Sequence, residues 1–418
     1  MSHHDVGAEV IRNARKLPDK ALCDYTDGSA FKNHPLFSID PMAIRLHFYV
    51  DDFEVCNPIG SRRTIHKLTA VYFVVGNVSP KYWSQSSTIH LALLARTQLV
   101  KNYGLEKVLE PLITDLQLLE SDGICVKLCN TECHVHGSLA TISADNLGSH
   151  QVGGFRQTFS SGKMCRFCMV DFHNLSQHVT EEHCVIRTPD GHANHLNGIS
   201  VDPSLSSTYG VKSVSPFNKL THFSVTESLP PHSMHDILEG LCPINVCFVL
   251  QCLIQLGKLK VKRFNEKLDL FAFSANDMAT KPPHIPDDIV SRGKLAGSAS
   301  QNWCLFRNLP FLVGDIVDCD ADYRVLHLLC RDICRIIFAP VIMPEWLIDL
   351  QQYIAEHHTL LAHVNSSLFT PKLHFLTHYP RLISLFGPLK HLWCMRFESC
   401  HQYFKKIARI SSTVYTRI

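Results

Sequence analysis

From Ile44 the hydrophobic pattern changes to short β-forming runs around one long amphipathic segment. Arg45-Leu-His-Phe-Tyr-Val50 alternates in part and runs directly into Asp51-Asp52. Asn57-Pro58 and Gly60 then mark a turn, since proline presets φ and glycine tolerates conformations other residues avoid. Leu68–Val75 predicts a second strand, closed by Gly76-Asn77, and Thr88–Ala95 a third. Strands joined this way read as an antiparallel meander. The preceding residues, 1–43, form an arm with a short helical pattern (AEVIRNARKL) and a turn-rich segment.

Between Gln98 and Glu120, Leu105, Val108, Leu109, Leu112, Ile113, Leu116 and Leu119 recur at the spacing that gathers side chains on one face of a helix. Pro111 should start or kink its second part, because proline has no N–H to donate. Val135–Ala144 predicts a fourth strand that delivers Asp145 at its end. The order β-β-β-α-β, with an acid closing the first strand and another the fourth, is that of an α/β, RNase H-like mixed sheet. In that fold the first and fourth strands are neighbours.

Such adjacency carries chemistry. Two carboxylates at the ends of adjacent strands, joined by a third from a later helix, can hold two divalent cations, and sparse oxygen sites suit Mg²⁺ or Mn²⁺. The candidates are Asp51, Asp145 and Glu398, with Asp52 competing for the first place. A lone acid at a strand end is ordinarily a solvated turn residue, so the argument rests on the three together. Glu398 opens an amphipathic run in which Phe397, Cys400, Phe404 and Ile407 make an apolar stripe, leaving Glu398, Gln402, Lys405 and Arg409 on the polar side.

Between the second and third acids lies a large insertion, mainly helical by pattern. Ser233 with Asp236 is a variant capping box, which gives His235, Asp236 and Glu239 an adequate structural role. Leu241–Leu256 is strongly apolar, yet Asn245 and Gln251 interrupt it and it is short for a bilayer, so it reads as a buried helix. Lys258, Lys260, Lys262 and Arg263 could meet phosphate, though such a run is usually a solvated face. Tyr323–Ile337 and Trp346–Leu361 predict further helices. The chain thus divides into an arm (1–43), the first part of a core (44–163), a zinc-associated helical insertion (164–372) and the closing part of the core (373–418).

Composition narrows the chemistry. With 418 residues, 45% of them hydrophobic, the chain can bury a sizeable core. A net charge of +2 excludes a polycationic coat, so any DNA contact must be local. The opening MSHHDVGAEV has no basic-then-apolar leader, and the 17 cysteines therefore read as reduced and available to metals. Cys165-Arg-Phe-Cys168 offers two zinc ligands from one tight turn. The other pair is open on spacing: two of His173, His178 and His183 would make a local finger, whereas His374 and His378 share one helical face. Either closed set of four would be structural.

Four segments carry a resemblance. YVDDFEVCNPIGS, ISADNLGSHQVGGF followed by MCRFC, LPPHSMHDILEG, and PKLHFLTHYPRLISLFGPLKHLWCMRFESCHQYFKK resemble the transposase core of CACTA-type (En/Spm) DNA transposons, in the group that includes Mirage and Chapaev elements. More distantly they resemble Transib transposases and the vertebrate antigen-receptor recombinase. The resemblance implies a DDE reaction with Asp51, Asp145 and Glu398 on a Mg²⁺ or Mn²⁺ pair, and a structural zinc on Cys165, Cys168, His374 and His378. It also implies DNA as substrate, assembly as a dimer or higher oligomer, and action in the nucleus. A catalytically silent, transposon-derived scaffold that keeps the zinc-clamped fold is the alternative, and a local finger in a non-catalytic protein a third reading.

Overall fold

The structure, a computed structural model, describes residues 20–55, 67–128 and 131–415. The patterns expected at AEVIRNARKL and at Asn57-Pro58 and Gly60 lie outside these residues, as does the side chain of Arg409. The protein is mixed α/β. Strands β1 (Ile44–Glu54), β2 (Lys67–Val75) and β3 (His90–Arg96) form the antiparallel meander. Helices α1 (Thr97–Tyr103) and α2 (Leu105–Ser121) follow, then a hairpin of β4 (Ile124–Leu128) and β5 (Thr131–Val135), then β6 (Gly137–Ser143). The larger sheet runs β3-β2-β1-β6, with β6 parallel to β1, so the first strand and the one leading to Asp145 are neighbours.

Two departures from the sequence pattern have local causes. The single helix expected over Gln98–Glu120 is broken at Gly104, whose φ of 86° ends one helix and starts the next. Pro111 instead sits inside α2. The β4–β5 hairpin carries no alternation strong enough to announce it.

The two faces of the sheet belong to different cores. Leu46, Phe48 and Val50 of β1 pack with Leu109, Ile113 and Leu116 of α2. Tyr49 and Phe53, on the other face, join a larger core shared with the helical insertion and the C-terminal helices. Strand alternation explains the division, because successive side chains point to opposite faces. Residues 20–43 are also part of the larger core: Leu22, Tyr25 and Phe37 are buried in it, and Leu22 bridges to Ile342.

The insertion is built on α3 (Asn146–Val152), α4 (Pro189–Val201), α5 (Cys242–Gln255), α6 (Val261–Leu270), α7 (Ala299–Val313), α8 (Asp322–Ile337) and α9 (Glu345–Asn365). A π-helical segment, Met234–Leu241, runs into α5. Together they form one helix, Met234–Gln255, long and apolar enough to cross a membrane by length and composition. Here Val246, Leu250 and Leu253 are fully buried in the larger core, which makes it the central helix of the insertion. The chain closes with α10 (Pro371–Leu376), α11 (Tyr379–Phe386) and α12 (Met395–Tyr415).

Candidate functional site

Asp51 and Asp52 lie near the end of β1, and strand alternation separates them. Asp52 turns to the α2 side, where Thr69 donates a hydrogen bond to it and Lys67 lies 3.4 Å away. Asp51 turns to the opposite face, where the Tyr49 hydroxyl donates to its Oδ2 at 3.0 Å. That is the face covered by α12. Helix α12 lies across β1 through Phe397 stacked on Tyr49, His401 stacked on Phe53 with ring centroids 4.0 Å apart, and Phe404 beyond. The expected apolar stripe is therefore shifted, with His401 at its centre and Ile407 43% exposed.

The entry to α12 is pinned to β6. Ser143 donates to the carbonyl of Leu392 at 3.0 Å, and the Cys394 carbonyl accepts from the amides of Phe397 and Glu398. Asp145 follows Ser143 and caps α3, its Oδ1 accepting from the Gly148 amide at 2.5 Å. Capping occupies one oxygen and leaves the carboxylate half-buried beside the insertion.

The carboxyls of Asp51 and Glu398 both respond to neighbouring acids. Burial, with repulsion from Asp145 and Asp52, pushes the Asp51 carboxyl up to about 6, against the Tyr49 hydrogen bond. Burial, with repulsion from Asp51, Glu239 and Asp145, pushes Glu398 up to about 7. Among the described residues, the sets whose ligand atoms all lie within 4.8 Å are two groups of histidine and cysteine, and this acid triad is not one of them.

Sequence reasoning missed a fourth acid. Glu239, on the π-helical segment, lines a cavity of about 490 Å³ with Asp145, Asn146, His235 and Lys372. The signal was the histidine- and acid-rich PPHSMHDILEG, whose capping pattern gave it a sufficient structural explanation. Ser233 in fact makes no side-chain cap.

Cys165, Cys168, His374 and His378 do come together, in a buried set that could bind a metal such as zinc. Cys165 Sγ is 3.6 Å from His378 Nε2, Cys168 Sγ is 3.2 Å from His374 Nε2, and the two imidazole nitrogens are 3.4 Å apart. A tetrahedral ion with bonds of about 2.0–2.1 Å to nitrogen and about 2.3 Å to sulfur requires edges of about 3.3 Å and about 3.5 Å between such atoms. The donor set therefore fits zinc in chemistry and in spacing.

Polar neighbours orient these ligands. Glu181 lies 2.6 Å from His378 Nδ1 and accepts from Arg381 at 2.8 Å, the carboxylate–histidine arrangement that fixes a ligand imidazole. Burial opposes ionisation of Cys165, yet the Cys168 hydrogen bond and the His378 and His374 imidazoles hold its thiol well below the ordinary range. Burial likewise opposes charge on His378, but Cys165 and Glu181 push it up to about 9.

The local histidines stand apart from this set. Residues 167–169 pair with 185–187, through Met169 N to Val185 O at 2.9 Å and Arg187 N to Phe167 O at 2.9 Å, so residues 170–184 form a loop, anchored by buried Val170 and Leu175. On it His178 bonds Asn174 and His183 bonds Thr180, with His173 and His183 exposed. The loop contributes Glu181 instead.

A buried polar chain joins the two candidate sites. Arg166, inside the C-x-x-C, donates to Asn146 Oδ1 at 2.9 Å and stacks on Phe167. Asn146 donates to Asp236 Oδ1 at 2.6 Å, and the Tyr379 hydroxyl to Asp236 Oδ2 at 2.9 Å. Asn146 adjoins Asp145, and Tyr379 adjoins His378. No protein-family model matches the chain, and no curated protein matches it.

Proposed function

We propose that the chain is a transposase-like DDE recombinase with an RNase H-like core, which hydrolyses a phosphodiester at a DNA end and transfers the freed 3′-hydroxyl to target DNA. The observation that carries this reading is that Asp51 and Asp145 come from two adjacent parallel strands and Glu398 from the helix stacked across β1, with Asp145 among the charges that raise the carboxyls of Asp51 and Glu398. The strand order supports the same core.

In this reading the three carboxylates hold Mg²⁺ or Mn²⁺. Asp51 is presented by its strand and steadied by the Tyr49 hydroxyl, Asp145 by the end of β6, and Glu398 by α12. Two raised carboxyls, of which Asp51 has the His401 imidazole 3.7 Å away with its pKa pulled down to about 4 by burial, suit a divalent cation, which replaces the protons that burial favours. Bound there, a cation pair lowers the pKa of the attacking water or 3′-hydroxyl and stabilises the leaving oxygen. No side chain forms a covalent bond to DNA. Zinc on Cys165, Cys168, His374 and His378 ties the two ends of the insertion together and supports folding. The partners are DNA and further copies of the chain, and the compartment is the nucleus.

One observation favours the silent scaffold. Of the basic run, Lys258 is paired with Asp318, and just beyond the run Lys267 bonds Asp315 at 3.0 Å, so part of the local positive charge is already neutralised. Incubating supercoiled plasmid and 3′-hydroxyl duplexes with Mn²⁺ separates the readings. Nicking or joining by the natural chain that is lost in Glu398→Gln supports the recombinase. No reaction, or equal reaction in both, overturns it in favour of the scaffold.

A further inference from the structure

The second compact cluster is made by His232, His235 and Cys394, whose ligand atoms all lie within 4.8 Å of one another. His232 lies just before the π-helical segment and His235 within it, and Cys394 comes from the closing part of the core, where its carbonyl caps the helix of Glu398. His232 is 1% exposed and Cys394 is fully buried. Only His235 reaches the cavity shared by Asp145 and Glu239.

Hydrogen bonding leaves this cluster incomplete. The His235 backbone N–H points at His232 Nδ1 from 3.4 Å, and His235 Nδ1 lies in contact with the same nitrogen. His232 Nδ1 is thus the acceptor, which places the proton of the neutral ring on Nε2. That nitrogen is buried with no partner among the described residues. An unsatisfied buried donor costs about 1–3 kcal/mol, so an interior seldom retains one without a use. A metal ion taking the place of that proton removes the deficit. The helix running from Met234 to Leu241 is of the π type, a local geometry found often at functional sites because it re-aims side chains.

We propose that His232, His235 and Cys394 are the protein ligands of a second metal site, one for zinc or a similar borderline-soft divalent ion. Two imidazoles and a thiolate are its preferred donors, and three protein ligands leave a fourth position for water or a substrate oxygen. His235 gives that position its access to the cavity. The site clamps the π-helical segment to the start of the Glu398 helix, and it does not depend on the recombinase reading.

Metal stoichiometry tests this directly on the full chain. Purified protein, stripped and titrated with Zn²⁺ and then Co²⁺, should bind two ions per chain. Cys394→Ser and His232→Gln should each bind one, and Cys165→Ser/Cys168→Ser should also bind one. Co²⁺ in the Cys165/Cys168 variant should show the thiolate-to-cobalt absorption of a single sulfur ligand. Should a variant fail to fold, the Co²⁺ titration of the natural chain decides, with two spectroscopically distinct saturating phases expected. Saturation at one ion, or two ions retained in a folded Cys394→Ser, overturns the proposal and leaves the two imidazoles sharing a proton.

Discussion

The ring of Tyr49 lies flat against that of Phe397, with centroids 4.9 Å apart and planes 14° from parallel. Tyr49 also holds Asp51, and Phe397 precedes Glu398, so one stacked pair sets the position of two acids from different ends of the chain. Phe397→Ala should cost about 3–5 kcal/mol in urea unfolding, as expected for a buried aromatic ring. Phe397→Leu, which keeps most of the buried volume, should fold and yet bind Mn²⁺ more weakly by calorimetry.

Glu398 should be a destabilising residue in the absence of divalent cations. Its folded-state carboxyl, raised to about 7, prefers the neutral form, so the charge opposes folding at and above neutral pH and not below the ordinary carboxylate range. Glu398→Gln should therefore raise the unfolding temperature at pH 8, have little effect near pH 4, and lose its advantage when Mg²⁺ is added. Differential scanning calorimetry at the two pH values measures this.

Metal removal should unfold the region around the C-x-x-C. Chelation by a strong zinc ligand should lower the unfolding temperature by about 10 °C or more, because binding energy at a structural site is folding energy. Cys165→Ser and His378→Ala should reproduce the loss. His183→Ala, an exposed position outside the cluster, should stay within about 0.5 kcal/mol of the natural chain and keep its zinc.

Asp236 should matter far more than a capping residue. Its removal strands the Asn146 amide and the Tyr379 hydroxyl and takes away the acid nearest buried Arg166. Asp236→Ala should cost about 3–5 kcal/mol, the range for breaking a buried charge network. Asp236→Asn, which keeps the shape, should cost less.

His327 should contribute to acid sensitivity. It is buried against Phe306 and bonded to Asn245, and burial pulls its pKa down to about 4, below the usual value near 6.5. The folded state favours the neutral ring, so this contribution is complete above pH 6.5 and is lost as pH falls toward 4. His327→Gln should flatten the fall in stability between those values by up to about 3 kcal/mol, followed by urea unfolding across the range.

Much of the sheet was legible because strand alternation and turn residues are local signals. The meander and the strand before Asp145 follow from runs such as LTAVYFVV and SLATIS, whereas the place of that strand beside the first is expected only by analogy with the RNase H-like order and is seen in the β1–β6 pairing. The choice between Asp51 and Asp52 was open in sequence because they are adjacent. In the structure a single strand period puts one with Tyr49 and the other with Thr69. His374 and His378 read as a pair on one helix, whereas α10 ends at Leu376 and His378 caps the start of α11, and nothing local could say that Cys165 and Cys168 meet them. His401, which the apolar pattern did not single out, is a stacking residue on Phe53. Arg166 and Asp236 were opaque, since their partners are remote in sequence and buried charges are recognisable only by the company they keep.

Cys165 and His378 lie 213 positions apart in the chain, and this separation has a consequence for the order of synthesis. The thiols of Cys165 and Cys168 leave the ribosome well before the imidazoles that complete their cluster. In that interval the C-x-x-C is a half-built chelator, open to oxidation or to the wrong metal. A nascent chain should therefore be more vulnerable to oxidative stress before α10 and α11 emerge than after.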